Sequence, residues 1–366
     1  MSEQYLRDLL SDFDIRSDIS NAKIYPYGGG HINSTFLIEG NSKYILQKIN
    51  TNVFKNPVEL MNNIVLVTSH IKKKIEEAGE DPEKKMTSVV KAKNGDNMIT
   101  DKNGDCYRVI TFVNAISHET IEHSSQLYRA AKTYGQFQKM LADFPAEKLY
   151  EVIPHFHHTP NRFKNLEKAI SENESGRLDS VRDDIEFALS YRDRIGEVVN
   201  GISDGSIPLR VTHNDTKINN FLFDRETDEC ICMIDFDTVM SGSLLYDFGD
   251  ALRIGASSAA EDEVDLDKVH FCVEPFEQFT RGLLEELSGE ITPRELELLP
   301  YSALLMTYEV GIRFLTDYLN GDIYFKTSYP EHNIVRARNQ FKLVRDIDAR
   351  MNDLNALVKK IHNELR

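Results

Sequence analysis

The stretch His213-Asn214-Asp215-Thr216-Lys217-Ile218-Asn219-Asn220 decides how this chain is read. It sets an aspartate, a lysine two residues on and an asparagine five residues on. Fifteen residues after Asn220 comes Ile234-Asp235-Phe236-Asp237, an acidic step on an apolar strand. These residue types in this order suit phosphoryl transfer to a hydroxyl, where catalysis is positioning plus neutralisation of charge on phosphate oxygens. Asp215 would accept a hydrogen bond from the attacking hydroxyl and take its proton late. Lys217 would stand beside the γ-phosphate as a point charge. Asn220 and Asp235 would hold Mg2+, a hard cation that prefers oxygen ligands and bridges to phosphate. The plainer alternative is a polar turn followed by a buried strand. Several role-matched residues in one order outweigh it.

The chain has 366 residues, enough for two lobes. Hydrophobic residues make up 41% and charged ones 28%, which fits a globular protein with a sizeable core. A net charge of −16 argues against nucleic acid and anionic membrane as main partners. A nucleotide site remains open, because it needs only local positive charge and backbone N–H groups. No apolar run is long enough for a membrane-spanning helix, and the start shows no secretory pattern. Four scattered cysteines, Cys106, Cys230, Cys232 and Cys272, complete no zinc site and fit a reducing cytoplasm.

Residues 1–113 read as a small mixed lobe and 114–366 as a mainly helical one. A short opening helix precedes a strand at Lys23–Tyr27, then Gly28-Gly29-Gly30, then strands near Ser34–Glu39 and Tyr44–Ile49. Asn56-Pro57 opens a helix, with Asn as cap and Pro in the first turn. Asn94-Gly95 and Asn103-Gly104 predict two hairpin turns, and Cys106–Val113 the last strand before a hinge near Val113–Ser117. Beyond the hinge, Gln126–Asp143 and Asp183–Val199 show helical spacing, and Thr292-Pro293-Arg294-Glu295 is a capping box. One apolar stripe from Ile334 to Leu365 predicts a long last helix.

Gly28, Gly29 and Gly30 lie between strands, where a bare backbone can approach phosphate oxygens; a plain turn is the competing reading. His31 and Asn33 rim that loop and face either an acceptor or solvent. Asp247 follows the metal strand and suits a brace for the catalytic loop or a helix cap. Glu309, Arg313 and Asp317 stand four residues apart on a helix, as an ion-pair ladder or with Arg313 facing a polar cleft. Tyr324 suits stacking on a sugar or core packing. His155-Phe156-His157-His158 has no nearby acid or thiol in sequence and reads as a loop packed by imidazoles, not a metal site.

The chain resembles the aminoglycoside phosphotransferase/choline kinase superfamily through Tyr27–Asn33, Ile153–His157 and Pro208–Lys217. Gly311–Phe325, continued by Tyr329-Pro330-Glu331-His332-Asn333, resembles more closely the bacterial N-acetylhexosamine 1-kinases. The resemblance covers about residues 20 to 345. It implies an α+β, bilobal protein-kinase-like fold with a small β-sheet N-lobe and a larger helical C-lobe. It implies ATP and Mg2+ as cofactors and phosphorylation of the C1 hydroxyl of GlcNAc or GalNAc. Asp215 matches the base, and Arg313, Tyr324, His31 and Asn33 match a sugar site. Thr111 and Val113 fall at the nucleotide position with the glycine loop. Asn214 stands where the superfamily usually has Gly. Gln47 stands where a Lys normally grips the α/β-phosphates, so either the strand shifts to present Lys48 or an amide replaces the ammonium. Glu59 is a possible partner for that cation or part of a helix cap.

Two rivals remain. One is a kinase for another small alcohol, such as an aminoglycoside, choline, ethanolamine or homoserine; the absence of Trp counts against a choline cage. The other is a non-catalytic nucleotide-binding module, which would be expected to lack Asp215, Asn220 or Asp235; all three are present.

Overall fold

The computed structural model describes residues 2–28 and 32–366. It begins with α1 (Glu3–Leu10), β1 (Lys23–Pro26), β2 (Ser34–Glu39), β3 (Lys43–Lys48), α2 (Pro57–Glu77), α3 (Pro82–Lys85), β4 (Val89–Val90), β5 (Ile99–Thr100) and β6 (Cys106–Thr111). Then come α4 (Ser124–Met140), α5 (Thr159–Glu172), α6 (Arg182–Ser190), α7 (Glu197–Asp204), β7 (Arg210–Thr212), β8 (Phe221–Phe223), β9 (Cys230–Met233) and β10 (Met240–Gly242). The chain closes with α8 (Leu244–Gly255), α9 (Val273–Leu287), α10 (Pro293–Leu319), α11 (His332–Ala349) and α12 (Met351–Glu364). This is the expected α+β composition, a small antiparallel sheet followed by a mainly helical part.

Two units emerge, and they are discontinuous in sequence. The first comprises Met1–Ile116, Asp143–Pro154 and Leu222–Met240, and the second Ser117–Ala142, His155–Phe221 and Ser241–Arg366. The sequence reading put everything after residue 113 in one lobe, yet two later stretches cluster with the sheet. Asn63, fully buried on α2, supplies the reason. Its amide donates to the carbonyls of Tyr150 (2.8 Å) and Val239 (2.9 Å) and accepts from the Tyr150 N–H (2.9 Å). One buried side chain thus satisfies backbone groups of both returning segments, a tie that no local pattern announces.

In the first unit the sheet order is β1-β2-β3-β6-β4, with β5 also on β6, and every pair is antiparallel. Alternation sends Ile38, Leu46 and Val109 into one core with Leu6, Leu9, Leu10 and Phe13. Asn103-Gly104 joins β5 to β6 as predicted, with Gly104 at φ 83°. Asn94-Gly95 turns the chain, but β4 and β5 each pair with β6 and not with each other. The turn dipeptide was read correctly; the partner strand was decided by the sheet.

The second unit packs around α10, whose capping box forms as read: Thr292 Oγ1 accepts from Glu295 N (3.2 Å) and Glu295 Oε2 from Thr292 N (2.9 Å). A Cβ added at Gly249 of α8 would run into the Ser302 carbonyl of α10, so the missing side chain permits this close helix crossing. Two expected helices break. The 183–199 segment splits into α6 and α7 around a 3-10 turn at Arg192–Arg194, and the C-terminal stripe splits at Arg350 into α11 and α12. Both halves still bury their stripe, Ile334 and Phe341 before the break, Leu354 and Ile361 after it. Apolar spacing reports which face is buried, not whether the backbone is continuous. Among the described residues no helix is long and apolar enough to cross a membrane.

Candidate active site

In the second unit, β7 leads into the catalytic loop. Arg210 on this strand is gripped by the fully buried Glu295, Nε to Oε1 at 2.6 Å and Nη2 to Oε2 at 2.9 Å. The loop backbone is held by two aspartates of α8. His213 N and Asn214 N donate to Asp247 Oδ2 (2.8 Å) and Oδ1 (2.6 Å), and Thr216 N donates to Asp250 Oδ2 (3.1 Å). The Thr216 hydroxyl donates to the Asp247 carbonyl at 2.6 Å. Asp247 is therefore the brace; the cap of α8 falls to Ser243. Burial pushes the Asp247 carboxyl up to about 7, against the opposing pull of the two N–H bonds. Asn214 has φ 65°, the left-handed region that Asn tolerates and Gly adopts freely, which accounts for Asn at a position where the superfamily carries Gly.

The same loop orients the expected base. Asn220 Nδ2 donates to the Asp215 carbonyl (2.7 Å) and to Asp215 Oδ2 (3.0 Å). Lys217 Nζ lies 3.1 Å from Asp215 Oδ1. The Asn220 nitrogen is thereby spent on Asp215, and its Oδ1 is the atom suited to a hard cation.

Beside this loop, His157 is buried between two acceptors, Nδ1 2.9 Å from Glu309 Oε1 and Nε2 3.1 Å from the Asn214 carbonyl. Two acceptors fit a doubly protonated imidazolium. Burial presses the His157 pKa down, but the bond to Glu309 outweighs it and the net direction is up. For Glu309 burial presses up, and the His157 bond brings the net direction down. Thr159 donates to the second Glu309 oxygen at 2.6 Å.

The ladder on α10 is thus absent. Glu309 serves His157 and Thr159. Asp317 accepts from the N–H groups of Ile323 (3.0 Å), Tyr324 (2.8 Å) and Phe325 (2.9 Å), and from Asn333 Nδ2 (2.8 Å). Arg313, between them, makes no hydrogen bond or ion pair among the described residues. Its guanidinium lies 5.8 Å from the Phe156 ring, 6.0 Å from Tyr324 and 5.5 Å from Phe325. Arg162 is close enough for Arg313 to lower its pKa, after burial, and donates to the Phe156 carbonyl at 3.2 and 2.8 Å. Tyr324 is 65% exposed. The structure brings Arg313 and Tyr324 together as the sequence reading paired them. It adds Phe156, Phe325 and Arg162, which carry no local motif; the imidazole-packed loop was the available signal for His157.

In the first unit the register question closes. Gln47 pairs across the sheet with Thr35 and Arg108, and its side chain donates to Thr35 Oγ1 (3.1 Å) and accepts from Arg108 Nε (2.9 Å). Lys48 points to the other face and pairs with Asp105 at 2.5 Å. Glu59 supplies the backbone N–H for the Asn56 cap, and its carboxylate makes no ion pair among the described residues. Gly28 takes φ 74°; Gly29, Gly30 and His31 lie outside the described residues. Asn33 is committed at both ends of its amide, Oδ1 to Asn50 N (2.9 Å) and Nδ2 to Asp237 Oδ2 (2.5 Å). Thr111 is engaged with Ser88 through its N–H and its hydroxyl, both at 2.9 Å. Val113 is buried with Ala115, Leu222 and Cys232. Asp235 is exposed, with φ 65° and ψ 61°, whereas Asp237 is buried. Among the described residues no three His, Cys, Asp or Glu side chains gather as a metal centre. One amide and one carboxylate completed by phosphate and water would not register as such a cluster.

Residues 23–272, more than half of the chain, match the model of the phosphotransferase enzyme family. The chain belongs to that family. This phosphotransferase is similar in fold to a microcompartment-associated aminopropanol kinase, with TM-score 0.59, 14% identity, and 97% and 99% of the two chains covered. Choline kinase from Cryptosporidium parvum Iowa II gives 0.59 at 13% identity over 96% of each chain. A GDP complex of aminoglycoside 2'-phosphotransferase-IIIa gives 0.60 at 14%, covering 92% and 97%. At these identities the likeness concerns the fold, a kinase-like arrangement of small sheet and helical part.

Proposed function

We propose that this phosphotransferase moves the γ-phosphoryl group of ATP onto the anomeric C1 hydroxyl of an N-acetylhexosamine, giving the sugar 1-phosphate and ADP. The observation that carries the acceptor class is Arg313, set among three aromatic rings with no acid bound to it. The solved relatives named for aminopropanol and choline take acceptors that are cations at neutral pH. A cationic acceptor here would meet Arg313 and Arg162, and the nearby Glu309 is already neutralised by His157. Like charges at close quarters cost several kcal/mol. A neutral sugar suits the place: the guanidinium fork donates to hydroxyls or to an acetamide carbonyl, and Tyr324 offers a ring face. The C1 position rests on the resemblance of Gly311–Asn333 to the hexosamine 1-kinases.

In this reading Asp215 accepts the hydroxyl proton as the new O–P bond forms and the bond to the ADP oxygen breaks. Asn220 keeps the Asp215 carboxylate aimed, and Lys217 stands beside it. Asn220 Oδ1 and Asp235 are the proposed ligands of Mg2+, which when bound draws charge off the phosphate oxygens. Gly28, Gly29, Gly30, Gln47, Thr111 and Val113 form the proposed nucleotide side, and His31 and Asn33 the remaining sugar contacts. Solved relatives printed as complexes with ADP and GDP support a nucleotide donor. The test is ATP consumption with GlcNAc, GalNAc, glucosamine, choline, ethanolamine and an aminoglycoside, with NMR of the product. N-acetylhexosamines should exceed the cationic acceptors by ~100-fold or more in kcat/KM, the scale of a like-charge penalty. Preference for choline, ethanolamine or the aminoglycoside would overturn the reading.

A further inference from the structure

Phosphoryl-transfer enzymes of the kinase type hold the nucleotide side with a fixed ion pair, a lysine on the third strand and a glutamate on a helix. Neither half is in place here: β3 offers Gln47, Lys48 is turned to Asp105, and Glu59 makes no ion pair among the described residues. A buried cation does stand on the Gln47 face. It is Arg108, one strand over on β6 and directly opposite Gln47 in the register. Arg108 is 3% exposed and Asp237 5%. The Arg108 guanidinium is used on three sides: Nε donates to Gln47 Oε1 at 2.9 Å, Nη1 faces Met61 Sδ at 3.9 Å, and Nη2 lies 2.5 Å from Asp237 Oδ1. The last is a charge contact set off the line of a good hydrogen bond. The other Asp237 oxygen accepts from Asn33 Nδ2 at 2.5 Å.

Only Phe236 separates Asp237 from Asp235, the proposed metal ligand. Asp235 sits at φ 65°, ψ 61°, and residues 236–238 form a single 3-10 turn. A non-glycine residue keeps a left-handed backbone only where its surroundings over-determine it. Asp237, clamped from β6 and from the start of β2, is the anchor on the far side of that turn. A buried ion pair is poor value as stability alone, since packed apolar residues of the same volume do as well or better. Its presence next to a strained, exposed carboxylate calls for another purpose.

We propose that Arg108 is a positioning residue: acting through Asp237, it holds the turn that presents Asp235 to the nucleotide-bound metal, replacing the third-strand lysine and its helix glutamate. This rests on the kinase reading above and deepens it. Gln47, at the lysine's place, then serves to aim the Arg108 guanidinium.

The test uses the full chain as wild type, Arg108→Met, Arg108→Lys and Gln47→Met. Paramagnetic resonance reads Mn2+ binding in the presence of ADP, calorimetry reads ADP without metal, and steady-state assays give kcat and the KM values for Mg·ATP and acceptor. Arg108→Met should weaken Mn2+ binding about 10- to 100-fold, the usual cost of losing a partner that orients a metal ligand. Metal-free ADP binding and the acceptor KM should not move. Arg108→Lys should recover part of the loss, and Gln47→Met should show a smaller loss of the same sign. Unchanged Mn2+ affinity in Arg108→Met, or equal loss of ADP with and without metal, would overturn the proposal. Should Arg108→Met fail to fold, an unchanged Mn2+ affinity in Gln47→Met overturns it and a reduced one supports it. A wild type that binds Mn2+ with ADP but phosphorylates no acceptor would sink the proposed function alone, leaving the comparison of variants intact.

Discussion

Replacing Arg313 with Ala separates two consequences that the structure keeps apart. The guanidinium has no acid partner among the described residues, so its removal strands no buried carboxylate: Glu309 keeps His157 and Thr159, and Asp317 keeps three backbone N–H groups. What is lost from the folded state is contact with three rings, about 0.5–1 kcal/mol each. That sum lowers the melting temperature by several degrees. What is lost from catalysis is a charged donor to the acceptor, about 2–4 kcal/mol, or roughly 30- to 1000-fold in kcat/KM. The KM for Mg·ATP should stay put. The assay is a thermal melt beside acceptor and ATP kinetics, with Arg313→Lys keeping the charge but not the fork and recovering only part of the activity. Arg313→Glu adds the opposite sign: it should abolish N-acetylhexosamine use and raise relative activity on glucosamine. A lower melting temperature with unaltered acceptor kcat and KM in Arg313→Ala would refute the reasoning and take Arg313 out of the site.

Asp215→Asn should lower kcat by about 10²- to 10⁴-fold with the fold and ATP binding intact; a variant that keeps a tenth of wild-type kcat would show that Asp215 is not the base. Lys48→Ala should leave the KM for ATP unchanged, because it loses only a half-exposed pair with Asp105 worth about 0–1 kcal/mol; a raised KM would place Lys48 at the phosphates after all. His157 has its pKa raised in the fold, so its contribution is full below its ordinary value and is lost as pH rises through the raised one. Wild type should therefore lose melting temperature on the alkaline side of neutrality, and His157→Gln should be destabilised but flat over that range; parallel curves for the two proteins would contradict a charged His157.

Chemistry confined to short segments was legible before any fold was known. The Asp215–Lys217–Asn220 spacing, the Asn56-Pro57 and Thr292–Glu295 caps and the Asn103-Gly104 turn are written in neighbouring residues, and each forms as read. The break at Arg350 was invisible because an apolar stripe keeps its face across a kink. The role of Asp317 was hidden too, because a carboxylate four residues from an arginine looks the same whether it pairs with that arginine or caps a following loop. Gln47 left two registers open, and a strand alone does not say which face meets its neighbour.

The sequence by itself determined the class of chemistry, the alternation of elements and the residues able to carry phosphoryl transfer. Those follow from side-chain type and local spacing, which act over a few residues. Only the tertiary structure decided who partners whom: Lys48 with Asp105, Glu309 with His157, Asn63 with two returning segments, and Arg108 with both Gln47 and Asp237. Each is a contact between distant parts of the chain. Burial forces such polar groups to find a partner, but which one is set by the packing of whole elements.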